Sequence, residues 1–191
     1  MYKKIDAVTT GPVADQHPAQ IKFFYNRETI FNDVSLMSTY MSKNLSTKDG
    51  NSLTDEYAIS DDERDLVKVC IRATLPDIYE SMTKITNAVS FAFDDSVEES
   101  AGTDQRGTAY AAGDYVEFVL QDNNSYNDNV LTMVDASIYN SIKLGTLKEI
   151  YSTLTQPEFY NTCSNRFVGE LYKLKQRLFQ LKKKSVVSNL T

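Results

Sequence analysis

The stretch SDDERDLVKVCIRATLPDIYESMTKITNAVSFAF, residues Ser60 to Phe93, decides the fold class of this chain. Its apolar side chains recur at steps of three or four residues: Val67, Ile71, Leu75, Ile78, Met82, Ile85 and Val89. This spacing places all of them on one face of an α-helix, whereas a strand would require alternation with period two. We therefore predict one long helix over 60–93, with the rest of the chain organised around it.

The start of this helix has the pattern of a capping box. The Ser60 hydroxyl can accept from the Glu63 amide while the Glu63 carboxylate accepts from the Ser60 amide. Pro76 lies inside the pattern, removes one backbone hydrogen bond and clashes with the Arg72 carbonyl. We expect a kink near Pro76, or two helices that meet there. Because the apolar stripe keeps its phase through the proline, the kinked single helix is favoured.

Three further segments show helical spacing. Asn26 is a suitable N-cap for a helix over 27–43. Residues 128–154 form a second helical pattern, which Gly145 weakens and in one interpretation divides into two helices. A last helix starts at Pro157 and ends in a lysine cluster, where cations suit the helix dipole. Its apolar stripe is Tyr160, Cys163, Phe167, Leu171, Leu174, Leu178 and Leu181.

The expected fold class is mainly α: a helical bundle with a long kinked central helix, one long loop and a short β-strand or hairpin. Residues 1–25 are interpreted as an irregular N-terminal arm, in which 21–25 form a short strand or an apolar anchor. Residues 26–184 form the helical domain. That domain contains a loop and β insertion at 94–127, and residues 185–191 form a loose C-terminal tail.

Residues 115–120 are the best strand candidate, because they are rich in β-branched and aromatic side chains. One strand cannot satisfy its own backbone, so it must pair with another segment, such as 109–112 in a hairpin, or with a neighbouring subunit. The chain has 12 Tyr and no Trp, and tyrosine suits both interfaces and core margins. We therefore place a candidate subunit interface on Tyr110, Tyr115, Val116, Phe118 and Leu120.

The net charge of −6 and the pI of about 4.9 argue against DNA binding over the whole surface. Residues 46–104 are strongly acidic, whereas residues 170–191 are basic. This asymmetry suits head-to-tail or ring-like self-association. In the alternative interpretation, each charge taken singly belongs to an ordinary solvated face or to the basic end of a helix. Lys182, Lys183 and Lys184 are too few to bind DNA strongly, so we assign them to contact with an acidic partner surface.

No pattern in the sequence indicates catalysis or a cofactor: there is no phosphate-binding glycine loop, nucleophile elbow or metal-ligand spacing. His17, the only histidine, has no partner in the pattern that would make it a general base. Cys70 and Cys163 lie in or beside apolar stripes and are expected to be buried, reduced thiols. We expect no enzyme, no bound metal or cofactor, and no secretory signal or membrane helix.

The order of these segments resembles a known family. An anchoring N-terminal segment, a helix, an acid-capped long helix, a long loop with a short strand, and terminal helices resemble the head–tail connector proteins (adaptor or neck-ring proteins) of tailed bacteriophages. Within Met37–Val69, the segments Met-Ser-Thr-Tyr-Met and Ile-Ser-Asp-Asp-Glu-Arg-Asp-Leu-Val are similar to small structural proteins of phages of Bacteroides-type hosts, including the crAss-like group. The resemblance covers the layout of residues 27–184.

The resemblance implies a mostly helical subunit without catalysis. Copies would form a ring, commonly a dodecamer, that docks on the portal protein, contacts other neck or tail proteins and extends a channel through which DNA passes without specific binding. The protein would be made in the host bacterial cytoplasm and located in the virion neck. A second hypothesis is a small helical regulator that binds another protein, such as a phage-encoded inhibitor of a host factor. An enzyme with a hidden carboxylate metal site is the third.

Overall fold

A computed structural model describes residues 1–7, 9, 18–43, 58–86, 89–91, 97–121 and 126–187. This part of the chain is mainly helical, as predicted, and adds a small antiparallel sheet. The strands are β1 (Tyr2–Ile5), β2 (Gln20–Asn26), β3 (Val89–Phe91), β4 (Val97–Glu99), β5 (Gly102–Thr103), β6 (Ala109–Tyr110) and β7 (Gly113–Gln121). The helices are α1 (Arg27–Ser42), α2 (Arg64–Thr83), α3 (Asp128–Thr153) and α4 (Pro157–Val187).

β7 is the central strand of the sheet and confirms the strand predicted over 115–120. Along one edge it pairs antiparallel with β2. Along the other edge it pairs with β3 beside Leu120 and with β4 beside Tyr115. The expectation that the strand pairs with another segment of the chain is therefore confirmed, but the hairpin with 109–112 given as an example is corrected, and no neighbouring subunit is needed for these pairings. β6 pairs with β5 instead, in a separate two-stranded sheet.

Residues 2–5 and 20–25 belong to the sheet, which corrects the irregular arm predicted there. β1 pairs antiparallel with β2, and the strand alternative for 21–25 is confirmed. Tyr2 and Phe23 are fully buried, with ring centroids 5.9 Å apart. β1 has only four residues, and its local pattern is too short to distinguish a strand from an irregular segment. His17 lies outside the described residues.

α2 begins where the capping box predicts. The Ser60 amide donates to Glu63 Oε2 at 2.7 Å, and a short 3₁₀ turn, Asp61–Glu63, leads into the helix. The helix then runs through Pro76 without interruption, so the single-helix interpretation is confirmed and the kink remains a prediction. A carboxylate that accepts from the capping residue satisfies one of the otherwise unpaired amides at the helix start.

The end of α2 corrects the sequence prediction, which extended the helix to Phe93. The helix stops at Thr83, and the Thr86 hydroxyl donates to the Met82 carbonyl at 2.8 Å just beyond it. Val89 continues the apolar spacing but lies in β3, where it pairs with Leu120. Pairing with a distant strand therefore decides the structure at this end, and local periodicity does not.

Removing the Glu63 carboxylate tests the helix start. We expect Glu63→Ala to lower the free energy of unfolding by about 1 kcal/mol, because the Ser60 amide loses its acceptor. Glu63→Gln keeps an acceptor oxygen and serves as the control, with a smaller loss. Urea denaturation followed by circular dichroism measures both variants. Equal losses for the two would contradict a role for this hydrogen bond.

α3 contacts all three other helices and also β1. It is buried on several sides, including the run 144–147, which explains why no single stripe identifies it as central. The helix continues through Gly145, so the predicted division there is wrong. At Gly145 a Cβ atom would overlap Thr74 Cγ2 of α2 and lie 3.0 Å from Phe167 Cε2 of α4. The glycine therefore allows three helices to approach closely.

α4 begins at Pro157, as predicted, and follows α3 after a tight turn in which Thr155 has a φ of 52°. The helix continues past the lysine cluster to Val187. Its end at Lys184 and the loose tail from residue 185 are therefore corrected in the described part of the chain. Three residues of the expected tail are helical, and residues 188–191 lie outside the described ranges.

Candidate functional site: the outer face of the C-terminal helix

The predicted subunit interface on β7 lies inside the molecule. Val116, Phe118 and Leu120 are at most 4% exposed and belong to the main core between the sheet and the helices. Both edges of their strand are already paired within the chain. These side chains are therefore core residues, and the hypothesis that they add a strand to a neighbour is corrected.

The two predicted interface tyrosines lie on the opposite face of the sheet, in an aromatic cluster with Phe24. Tyr115 is 1% exposed and donates to the Ala111 carbonyl at 2.7 Å. Tyr110 packs edge-on against Phe24 at 4.8 Å and against Tyr115 at 6.0 Å. Tyr110 is partly exposed, so of the five predicted interface side chains it alone reaches the surface.

One surface with exposed apolar side chains is on α4, which has two different faces. The inner face packs into the core through Cys163, Phe167, Leu174, Leu178 and Leu181, each at most 3% exposed. Most of the stripe predicted from the sequence is therefore buried, with Tyr160 and Leu171 partly buried at its margin. The burial of this face is what attaches α4 to α3.

The outer face of α4 carries a second apolar stripe that the sequence prediction missed. Val168, Tyr172 and Phe179 are 61%, 63% and 55% exposed. At 3.6 residues per turn they share one side of the helix, about 120° around its axis from Leu174 and Leu178. Single exposed apolar side chains are common, but a row of large ones on one helix face indicates an interaction surface. We call these three residues the outer stripe.

α4 also carries charged groups, on other sides of the helix than the outer stripe. Lys173 pairs with Glu170 at 2.6 Å, and Arg177 donates to the Met133 carbonyl at 2.6 Å. The start of α2 has the opposite sign, because carboxylates there outnumber Arg64, which is held by Glu28 and Asp61. Basic and acidic groups are thus concentrated on different elements, an arrangement that favours contact between unlike surfaces of two copies.

Lys182, Lys183 and Lys184 lie in the last turns of α4. Their side chains are outside the part of the chain that the structure describes, so their contact with an acidic partner stays a prediction. Their backbone position extends the basic end of the helix beyond Arg177. The helix dipole at a C-terminus favours cations there.

Asp104 organises a polar network that sequence reasoning did not find. Its Oδ1 accepts from the amides of Arg106 and Thr108 at 2.9 and 2.8 Å, and its Oδ2 accepts from the Arg106 guanidinium at 3.1 Å. The same guanidinium reaches Asp135 of α3 at 3.2 Å. Burial alone would raise the pKa of Asp104, but the hydrogen bonds from Thr108 and Arg106 outweigh it and hold the pKa below 3.8.

Asp104→Asn tests this network and its pH dependence. We expect a loss of about 2 kcal/mol in the free energy of unfolding at pH 7, because a buried charged acceptor is removed from Arg106. Because the pKa of Asp104 is lowered in the folded state, its ionised carboxylate stabilises the fold at pH values above its ordinary pKa. This stabilisation is lost as the pH falls through the folded-state pKa. Urea denaturation at pH 7 and pH 3 should show the difference from wild type shrinking in acid. Asp6→Asn, at an exposed position, is the control and should change little.

Within the described ranges, no group of three or more His, Cys, Asp or Glu side chains is placed to hold a metal ion. Cys70 and Cys163 are buried and unpaired with each other, as predicted, and burial raises the pKa of both thiols to about 11. Thiols with such a pKa stay protonated at neutral pH and are poor nucleophiles. No helix in the described part of the chain has the length and apolar character needed to cross a membrane.

Comparison with protein-family models, curated proteins and solved structures finds no match to this chain.

Proposed function

We propose that this chain is a structural subunit that assembles with its own copies into a ring at the head–tail junction of a tailed bacteriophage, where it docks on the portal protein. The resemblance in segment layout motivates this role. The observation that carries it is the outer stripe of α4, which leaves Val168, Tyr172 and Phe179 exposed on a helix whose other face is fixed in the core.

The outer stripe would pack against the next copy of the chain in the ring. Burying the exposed half of each of its three side chains would contribute roughly 1 kcal/mol per residue. This gain is small beside the rigid-body entropy lost when two subunits associate. A single contact of this kind is therefore weak, and ring closure on a portal template would supply the additional contacts that make assembly stable.

DNA would pass through the ring without specific binding. The chain carries a net charge of −6, so a channel lined by its acidic surfaces repels phosphate and lets the duplex slide. Sequence-independent DNA binding requires clustered lysines and arginines that release counterions, and the overall charge has the opposite sign. The basic end of α4 would instead face an acidic neighbour in this arrangement.

Copy number in purified particles tests the proposed function. Quantitative mass spectrometry of virions should detect the chain at the same order of abundance as the portal protein, with major capsid protein as the reference. Infected-cell lysate from the same culture is the control for expression. A chain abundant in lysate and absent from particles would overturn the neck proposal and favour the alternative, a helical regulator that binds another protein.

A further inference from the structure

A cleft of about 560 Å³ lies between β2, the β5–β6 region and α3. Its floor is formed by Tyr25 and Tyr115, which are 3% and 1% exposed. Tyr110 and Tyr139 are partly exposed and form its rims. Clefts of roughly 300–1,000 Å³ with aromatic walls and a few converging polar groups are typical of small-molecule sites.

The rings of this cleft are held in fixed positions. Tyr25 and Tyr139 are stacked, with centroids 5.5 Å apart and an interplanar angle of 22°. The Tyr25 hydroxyl donates to the Asp135 carbonyl at 3.1 Å, and the Tyr139 hydroxyl donates to Asp33 at 2.8 Å. The walls are therefore pre-arranged, and a flat ring can pack on them without ordering loose side chains.

One end of the cleft holds charged groups that compensate one another. Asp135 is 5% exposed, and its two oxygens contact the Met1 amino group at 2.7 Å and Arg106 at 3.2 Å. Arg106 also pairs with Asp104 at 3.1 Å. The Met1 amino group and Arg106 thus face two carboxylates. Burial lowers the pKa of the Met1 amino group, and the neighbouring Asp135 carboxylate opposes that shift. A charged ligand would bring an unbalanced charge into this partly desolvated site, which costs free energy.

A hydrogen-bond donor and an acceptor nevertheless remain side by side there. Arg106 uses Nε and Nη2 for Asp104 and Nη2 for Asp135. The Arg106 Nη1 is not used in these contacts with Asp104 and Asp135. Each Asp135 oxygen can accept more than one hydrogen bond, and the Tyr25 hydroxyl also interacts with this carboxylate. A guanidinium N–H beside a carboxylate oxygen is complementary to the carbonyl and N–H of an amide edge.

We propose that this cleft is a binding site for a small planar aromatic molecule with an uncharged amide-type edge. Nucleobases and aromatic carboxamides both present this chemistry. The ring would pack among Tyr25, Tyr110 and Tyr139, and the edge would accept from Arg106 and donate to Asp135. The inference is independent of the ring proposal, since no residue that lines the cleft belongs to α4.

Three probes of nearly equal shape test whether the cleft prefers an uncharged ligand. These are benzamide, benzoate and benzamidine. Titration of the full chain with each, followed by ¹H–¹⁵N NMR, should give a dissociation constant for benzamide on the order of 1 mM. We expect benzoate and benzamidine to bind at least about tenfold more weakly, because each adds a net charge. Equal binding of all three, tighter binding of a charged probe, or no benzamide binding would overturn the proposal.

Variants that place a bulky side chain in the cleft test whether benzamide binds there. Ala109 and Ala136 line it from β6 and α3 and are exposed, so Ala109→Phe and Ala136→Phe should abolish the benzamide shifts while the protein remains folded. Asn129→Phe, at an exposed position on the same helix outside the cleft, is the matched control. Retained binding in both cleft variants would overturn the site. Titration with uridine distinguishes the two candidate ligand classes. Tighter binding of uridine than of benzamide indicates a nucleobase, and weaker binding indicates an aromatic carboxamide.

Discussion

Replacing Gly145 by alanine is expected to lower the free energy of unfolding by about 2 kcal/mol, although alanine favours helices. The added methyl group would overlap Thr74 Cγ2 and approach Phe167 Cε2 at 3.0 Å. Thr74 is 1% exposed and β-branched, and its hydroxyl donates to the Cys70 carbonyl at 2.9 Å, so it cannot rotate away without losing that bond. Gly145→Val adds more volume and should cost about twice as much.

Gly169 provides the matched control for this prediction. It lies in α4, and a Cβ atom there would meet nothing within 4 Å. Gly169→Ala should therefore raise the free energy of unfolding by about 0.5–1 kcal/mol, through helix propensity alone. Denaturant unfolding measures both changes. Thr74→Ser, which removes Cγ2 and keeps the hydroxyl, should recover part of the Gly145→Ala loss. Additive effects in this double-mutant cycle would contradict the packing explanation.

The double variant Val168→Glu/Tyr172→Glu is expected to weaken assembly at least about 100-fold. Under the proposed function, the two substituted positions of the outer stripe become buried between copies, and two unpaired carboxylates would then lose their hydration. The fold itself should be unaffected, because both positions are exposed and glutamate is a good helix former. Sedimentation velocity of the chain mixed with the portal protein, over a concentration series, measures the effect.

The chain offers a closely matched control for this variant. Val69 of α2 is 61% exposed, like Val168, and Tyr40 of α1 is 64% exposed, close to the 63% of Tyr172. Val69→Glu/Tyr40→Glu therefore makes the same chemical change at equal exposure on other helices. Assembly should be retained in this control. If both double variants lose assembly equally, net charge and not the outer stripe determines association.

Local signals in the sequence predicted the helices well. The Ser60–Glu63 pair marks the start of α2, Asn26 caps α1 through a 3.0 Å bond from the Thr29 amide, and Pro157 opens α4. Each signal acts within one turn of the chain, where capping and propensity decide the backbone. The inner stripe of α4 was also predictable, because a helix that packs on one side shows its core face as a period of 3.6 residues.

Contacts between distant segments were not predictable in the same way. Tyr2 is buried partly because α3 covers it: its hydroxyl lies 3.3 Å from the Asp128 carbonyl. Val89 fits a helical stripe and a strand equally well, and its partner Leu120 decides for the strand. A short apolar run is compatible with a helix and with a strand, and only its tertiary pairing decides between the two.

The candidate sites depended most on three-dimensional information. Residues 115–120 were recognised as a strand, but the sequence does not show that both its edges are occupied within the chain. The outer stripe follows from knowing which face of α4 is buried, since Val168 and Tyr172 look like ordinary helix residues beside the stronger inner stripe. Asp104, Arg106 and Asp135 are separated along the chain, and the fold brings them together.

The mass of the chain in solution tests the proposed assembly most directly. Light scattering should be measured on the chain alone and then mixed with the portal protein encoded by the same genome. We predict a ring-sized species in the mixture, with many copies of the 21.6 kDa chain in one particle. A 21.6 kDa monomer under both conditions, at concentrations where the portal itself is assembled, would contradict the ring proposal.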